Sequence, residues 1–190
     1  MAARALPARL RDQGGYTLVE LVAVLAIFLT IVTALTTLFV TGSRAELDAN
    51  NRFQAQQSAR LALDRLRREL HCSTGITKTD GTALGATPVA AIRVTLPSHC
   101  PTAGGATITV DYQMVASGTG RWELQRAKTG DQGVPIADHI TNDDVFTYAI
   151  QSAESRALLH VDLPVNVNPN EGWKEWRLVD DIVLRNTTRL

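Results

Sequence analysis

Gly14-Gly15-Tyr16-Thr17-Leu18-Val19-Glu20 opens a run, Leu21 to Val40, that carries no charge over twenty residues. A short basic leader with Arg4, Arg9, Arg11 and one acid, Asp12, ends in two glycines, and the apolar run begins just beyond them. As a helix that run would span about 30 Å, the thickness of a hydrocarbon core. In a secretory signal peptide the apolar region precedes the cut and is discarded. Here the small-residue site precedes it, so cleavage would leave the apolar run at the new N-terminus. Glu20 sits where that run begins. An acid at the edge of a lipid-seeking segment is costly unless something meets it.

Working outward, arginines before the run and a large polar region after it predict the leader in the cytoplasm and the C-terminal region outside. The chain has 190 residues, enough for a membrane anchor and one modest domain. Formal charge is zero, with 19 basic and 19 acidic side chains. The leader holds three of the former and one of the latter, which leaves the rest near −2. Such a balance argues against a polyanion binder, which needs clustered Lys and Arg.

The run contains neither Pro nor Gly, so an unbroken helix is expected. Ala23, Ala26, Thr30, Thr33, Thr37 and Thr41 recur on one narrow face. Such a stripe either admits a second helix closely in lipid or holds hydroxyls that bond their own backbone. Thr41-Gly42-Ser43 interrupts the apolar composition. Helical character resumes from Arg44 to about His71, now with a buried stripe of Ala59, Leu63, Leu66 and Leu70. Asp64, Arg67, Arg68 and Glu69 read as charged neighbours of that stripe. If Gly42 is tolerated, one rod of roughly 85 Å runs from Tyr16 to about Cys72.

Beyond a Gly-, Thr- and Ala-rich loop from Thr74 to Val89, the period becomes two. Ile92, Val94 and Leu96 alternate with polar residues, as do Ile108, Val110, Tyr112 and Met114. Trp122 to Ala127, Val145 to Ile150, Leu158 to Val165 and Arg177 to Arg185 are further strands. Turns fall at Gly118 to Gly120, Gly130 to Gly133 and Asn166 to Gly172. Strands without intervening helices make an antiparallel sheet, and the Ala59-to-Leu70 stripe can cover its apolar face. The expected class is α+β: a long N-terminal helix on an antiparallel β head. Its segments are a leader (1–15), a membrane-spanning half-helix (16–43), an amphipathic half-helix (44–72) and a β-rich head (73–190).

The stretch from Gly14 to about Val40 resembles the N-terminal signature of type IV prepilins and type II secretion pseudopilins. That signature has a basic leader, a terminal Gly, an aromatic or Met, then Thr-Leu-x-Glu and an apolar helix. Gly15 matches the residue before the cut, Tyr16 the first mature residue, and Glu20 the glutamate five residues into the mature chain. Gln57 to Leu70, the strand Tyr112 to Arg126 with its Trp122-Glu123-Leu124-Gln125-Arg126, and the ending Val183-Leu184-Arg185-Asn186 are similar to minor pseudopilins of the J type. The sequence departs from the pattern in two ways: Tyr16 replaces the commoner Phe or Met, and the helix lacks the kinking Pro of many pilins. The resemblance implies a lollipop shape, a prepilin peptidase as processing partner, and other pilin or pseudopilin subunits as assembly partners. It pairs Glu20 with the freed, usually methylated amine of Tyr16. A carboxylate in low dielectric gains from that pairing, and a mismatched register would leave a buried charge alone. A headgroup-snorkelling acid with no specific task is the plainer reading of Glu20.

Cys72 and Cys100 are the only cysteines, and both fall on the expected outer side, where disulfides persist. A bridge would close a loop of about 29 residues and stabilise by roughly 3–4 kcal/mol. Free thiols are an alternative, as is a metal site with His71 and His99, although adjacent ligands make poor tetrahedral geometry. The doublets Asp143-Asp144 and Asp180-Asp181 read as solvated strand ends and lack calcium-loop spacing. Arg60, Arg65, Arg67 and Arg68 form a basic patch that Asp64 and Glu69 can salt-bridge. A minor pilin that captures DNA or a surface, through that basic patch or through Trp122, Trp173 and Trp176, is the second reading. A membrane-anchored domain that never polymerises is the third. No catalytic or cofactor motif emerges: nucleophile elbow, zinc-protease helix and phosphate loop are all missing, and the four histidines lack useful spacing. The expectation is a non-enzyme without cofactor, single-pass in the cytoplasmic membrane.

Overall fold

The computed structural model describes residues 15–151, 156–168 and 175–185. The leader before Gly15 lies outside them, as do Trp173, Asn170 to Gly172 and Asn186. One α-helix, α1 (Leu18–Cys72), dominates the N-terminal part and continues through Gly42 without a break. The chain divides into two units at Leu47/Asp48.

In the first unit α1 has no core of its own. Every large apolar side chain from Leu18 to Val40 is more than a third exposed. This stretch is long and apolar enough to cross a membrane. Five threonine hydroxyls donate to carbonyls of the preceding turn: Thr30 to Ile27, Thr33 to Leu29, Thr36 to Val32, Thr37 to Thr33 and Thr41 to Thr37, at 2.6–2.8 Å. Hydroxyls satisfied within their own helix carry little desolvation cost into lipid.

The second unit holds the remainder of α1 and eight strands: β1 (Gly75–Thr77), β2 (Ala91–Leu96), β3 (Ile108–Gly118), β4 (Arg121–Lys128), β5 (Val134–Ile140), β6 (Phe146–Ala149), β7 (Leu158–Val165) and β8 (Trp176–Val183). A 3-10 turn, Pro101–Ala103, follows β2. The sheet runs β1-β2-β3-β4-β5-β7-β6, with β8 on the other side of β7, and every pairing is antiparallel. The two-residue alternation of β2 is reproduced in its burial, with Ile92, Val94 and Leu96 inside. Val110, Tyr112 and Met114 do the same on β3. Against them lie Ala55, Ala59, Ala62, Leu63, Leu66 and Leu70 of α1, all in one core with β7's Leu159, Val161 and Leu163. Each fully buried Leu contributes about 1.5–3 kcal/mol, so this stripe fixes the helix on the sheet.

Two strands depart from the reading of the sequence. The segment expected as a loop from Thr74 to Val89 contributes β1, and Val89 exchanges backbone bonds with Phe146 at 2.9 and 3.2 Å. β5 was not legible as a strand. Its buried residues, Ala137 and Ile140, stand three apart because the β4–β5 register shifts between them. His139 takes up the shift with a left-handed φ of 58°, which breaks the two-residue period.

Candidate processing and assembly site

The first described residues set a helix start. Thr17 Oγ1 accepts the backbone N–H of Glu20 at 3.3 Å, and Thr17's carbonyl accepts that of Leu21 at 3.1 Å. Thr17-Leu18-Val19-Glu20 therefore begins the helix as Ser/Thr-x-x-Glu caps do, with an acid in the first turn, where the helix dipole favours negative charge. Neither reading of Glu20 from the sequence, amine partner or headgroup-snorkelling acid, includes this local role. The Thr three positions ahead of the Glu was the available signal. Gly15 and Tyr16 precede the helix in non-helical conformation, and Tyr16 is 83% exposed. Among the described residues the Glu20 carboxylate has no ion-pair partner. The site thus presents a non-helical Gly15-Tyr16 peptide, a capped turn and one uncompensated acid at the mouth of an apolar helix.

At the other end of α1, Cys72 and Cys100 are joined by a disulfide, with Cα atoms 5.9 Å apart. It ties the last residue of α1 to the residue preceding the 3-10 turn. Both sulfurs are used, so neither thiolate remains for the metal alternative.

The charged residues of the patch divide differently from expectation. Glu69 is not a surface neighbour: it is 1% exposed. Its carboxylate accepts the Tyr112 hydroxyl at 2.6 Å and Arg126 Nε and Nη2 at 3.1 and 2.8 Å, and Arg65 Nε stands 3.7 Å away. Burial and the neighbouring carboxylate push the Tyr112 phenol well above its ordinary range. Tyr112 and Arg126 are direct cross-strand partners on β3 and β4, so the sheet presents both to α1 together. The signal was in the spacing: position 69 is three after Leu66 and seven after Ala62, on the buried stripe. Arg67 bonds Asp180 on β8 through Nε and Nη2 at 3.0 and 2.6 Å. Arg60 lies over the Trp176 ring, 5.3 Å from its centroid.

Of the acidic doublets, one is repositioned and the other lies at a strand end as expected. Asp180 and Asp181 fall inside β8 rather than at a solvated strand end. Asp180 meets Arg67, and Asp181 lies 2.6 Å from His160 Nδ1. Asp143 and Asp144 occupy the turn before β6, where the Asp144 N–H donates to Asn142 Oδ1. Of the aromatic candidates for a nucleic-acid surface, Trp122 is half-buried against the core, Trp176 lies beneath Arg60, and Trp173 lies outside the described residues.

The prokaryotic N-terminal methylation motif matches residues 10–36, which takes in the Gly-Gly leader end, Tyr16, Glu20 and the start of the apolar helix. No curated protein and no solved structure matches the chain. Over residues 10–36 this chain is type IV prepilin-like, and it carries that motif on a long helix whose second half is covered by an antiparallel sheet.

Proposed function

We propose that this protein is a minor pilin-like structural subunit of a type II secretion or type IV pilus-like filament, of the J type among pseudopilins. It is inserted as a single-pass precursor with its leader in the cytoplasm and its β head outside, and is cut between Gly15 and Tyr16. The observation that carries this reading is the uncompensated Glu20 at the capped start of an exposed, twenty-residue apolar helix, inside a methylation motif. Cleavage creates a cation at Tyr16, four residues from the acid. In low dielectric the pair gains far more than in water, and a subunit in the wrong register leaves both charges unmatched. Transfer from lipid into a filament exchanges one apolar surround for another, which leaves the step nearly balanced for an external motor to drive. The role is structural, without cofactor. Nucleic acid is not a partner in this reading, because Arg60 and Arg67 are engaged within the head.

Mass spectrometry of the N-terminus tests the reading directly. Co-produced with a prepilin peptidase, the chain is expected to begin at Tyr16, and Gly15→Leu to retain the leader. A native working molecule that keeps residues 1–15 would defeat it. Glu20→Ala, processed normally, should fail to assemble; unimpaired assembly would return Glu20 to helix capping alone.

A further inference from the structure

The cysteine-bridged end of α1 borders a cavity of about 480 Å³ lined by Arg65, Arg68, Glu69, Cys72, Pro101 and Thr102. Its charges do not cancel. Glu69 turns its oxygens to Tyr112 and Arg126, whose side chain is 11% exposed, so that acid and that guanidinium neutralise each other beneath the floor. Arg65 reaches Glu69 only at 3.7 Å and keeps 42% of its side chain exposed. Among the described residues Arg68 has no ion-pair or hydrogen-bond partner, and Asp64, one helical turn before it, makes none with it. Two guanidiniums three residues apart lie on neighbouring positions of one helix face. The cavity therefore combines two cations not fully compensated with a wall made of Cys72, Pro101 and Thr102. We infer that it is a binding site for an organic carboxylate. The guanidiniums take the carboxylate oxygens by charge-assisted hydrogen bonds, and Pro101 and Cys72 receive the carbon skeleton. A carboxylate has two sources, a free organic acid or an acidic side chain on a polypeptide, and the same two arginines serve either. The inference concerns the head alone and does not depend on the filament reading.

The full chain in neutral detergent at low ionic strength is titrated with citrate and, separately, with a blocked triglutamate peptide, using a blocked triserine peptide as control. Binding is followed by calorimetry and by the arginine Nε resonances. At least one acidic probe is expected to saturate and to shift the Arg65 and Arg68 signals. Arg68→Gln should weaken it by about tenfold or more, since one charge-assisted contact is lost, while Arg68→Lys loses less. Citrate binding alone identifies a free acid as the ligand, and tighter peptide binding identifies a protein-borne one. Either supports the site. Absence of saturation with both probes overturns it. So does equal binding by an Arg65→Gln/Arg68→Gln chain whose melting transition shows it folded.

Discussion

Glu69 is an ionised-type side chain placed among Leu66, Leu70 and the sheet, and its worth depends on keeping all its partners. Removing one member of a buried pair costs about 3–5 kcal/mol because the survivor is stranded, whereas replacing the whole set by apolar groups is often neutral. Glu69→Gln should therefore lower stability by roughly 3–5 kcal/mol, mostly through Arg126. Tyr112→Phe, which deletes one bond to a charged acceptor, should cost about 1.5–3 kcal/mol. The combined Glu69→Leu/Tyr112→Phe/Arg126→Met chain should recover most of the single-variant loss. Urea midpoints of the oxidised protein decide this: a triple variant as weak as Glu69→Gln would show that shape, not charge, holds the site. Asp111 offers the contrasting half-buried case, on the interior strand β3. Arg93 grips both of its oxygens at 2.7 and 2.8 Å, Thr129 adds a third bond, and the Arg93 bonds hold the carboxyl below the ordinary aspartate value of 3.8. A depressed acid lends stability that is fully present above its unfolded pKa, about 3.9, and is lost as pH falls through the lower folded value. Arg93→Gln should thus lower stability at neutral pH and flatten this part of the loss below about pH 4. Urea melts at stepped pH measure the difference, and identical pH slopes in both chains would exclude the linkage.

Among the elements, α1 was legible because its signals agree: no Pro, apolar composition to Val40, then a 3.6-residue stripe onto the sheet. Composition left continuity open at Thr41-Gly42-Ser43, and the rod does continue there: a single Gly costs about 1 kcal/mol, too little to stop a helix held by its neighbours. β2, β3 and β7 were legible because one face is buried without interruption. β5 was not, because a bulge cancels the alternation that reading depends on, and Pro135 further disguises it. At Glu69 residue type prevailed over spacing: an acid was assigned to the surface although the stripe pointed it inward. The elements are also linked covalently. The Cys72–Cys100 bridge connects the end of α1 to the 3-10 turn across a separation of 28 residues. Chain-entropy reasoning gives it about 3–4 kcal/mol, acting through the unfolded state. Reduction, or Cys72→Ser/Cys100→Ser, should lower the unfolding free energy from urea melts by that amount, with α1's far-ultraviolet signal retained in the folded baseline. A midpoint indifferent to dithiothreitol would mean that strain or residual structure cancels the gain.

For the whole molecule, the division at Asp48 makes a prediction about what can be removed. Nothing from Leu18 to Leu47 is buried, while the first core residue of α1 is Ala55. Between these lies a clasp. Asp48 accepts Arg52 at 2.7 Å one turn along the helix, and its other oxygen accepts Asn168 Nδ2, from the segment after β7, at 2.9 Å. Ser58 adds a bond to Asp138 on β5 at 3.2 Å. A chain beginning just before Asp48 keeps every one of these contacts and gains a favourable acid at its new helix N-terminus. What it loses from the helix is chiefly apolar surface that water disfavours. It should fold without detergent, form its disulfide and unfold at the urea midpoint of the full chain in neutral detergent. Starting instead at Phe53 deletes the clasp and leaves Asn168 unpaired by Asp48, at a cost of about 1–3 kcal/mol. Comparison of the two truncations by urea melts separates the contributions. If the Asp48 chain melts early or needs detergent, the apolar half of α1 supports the head as well as anchoring it, and the two units fold as one.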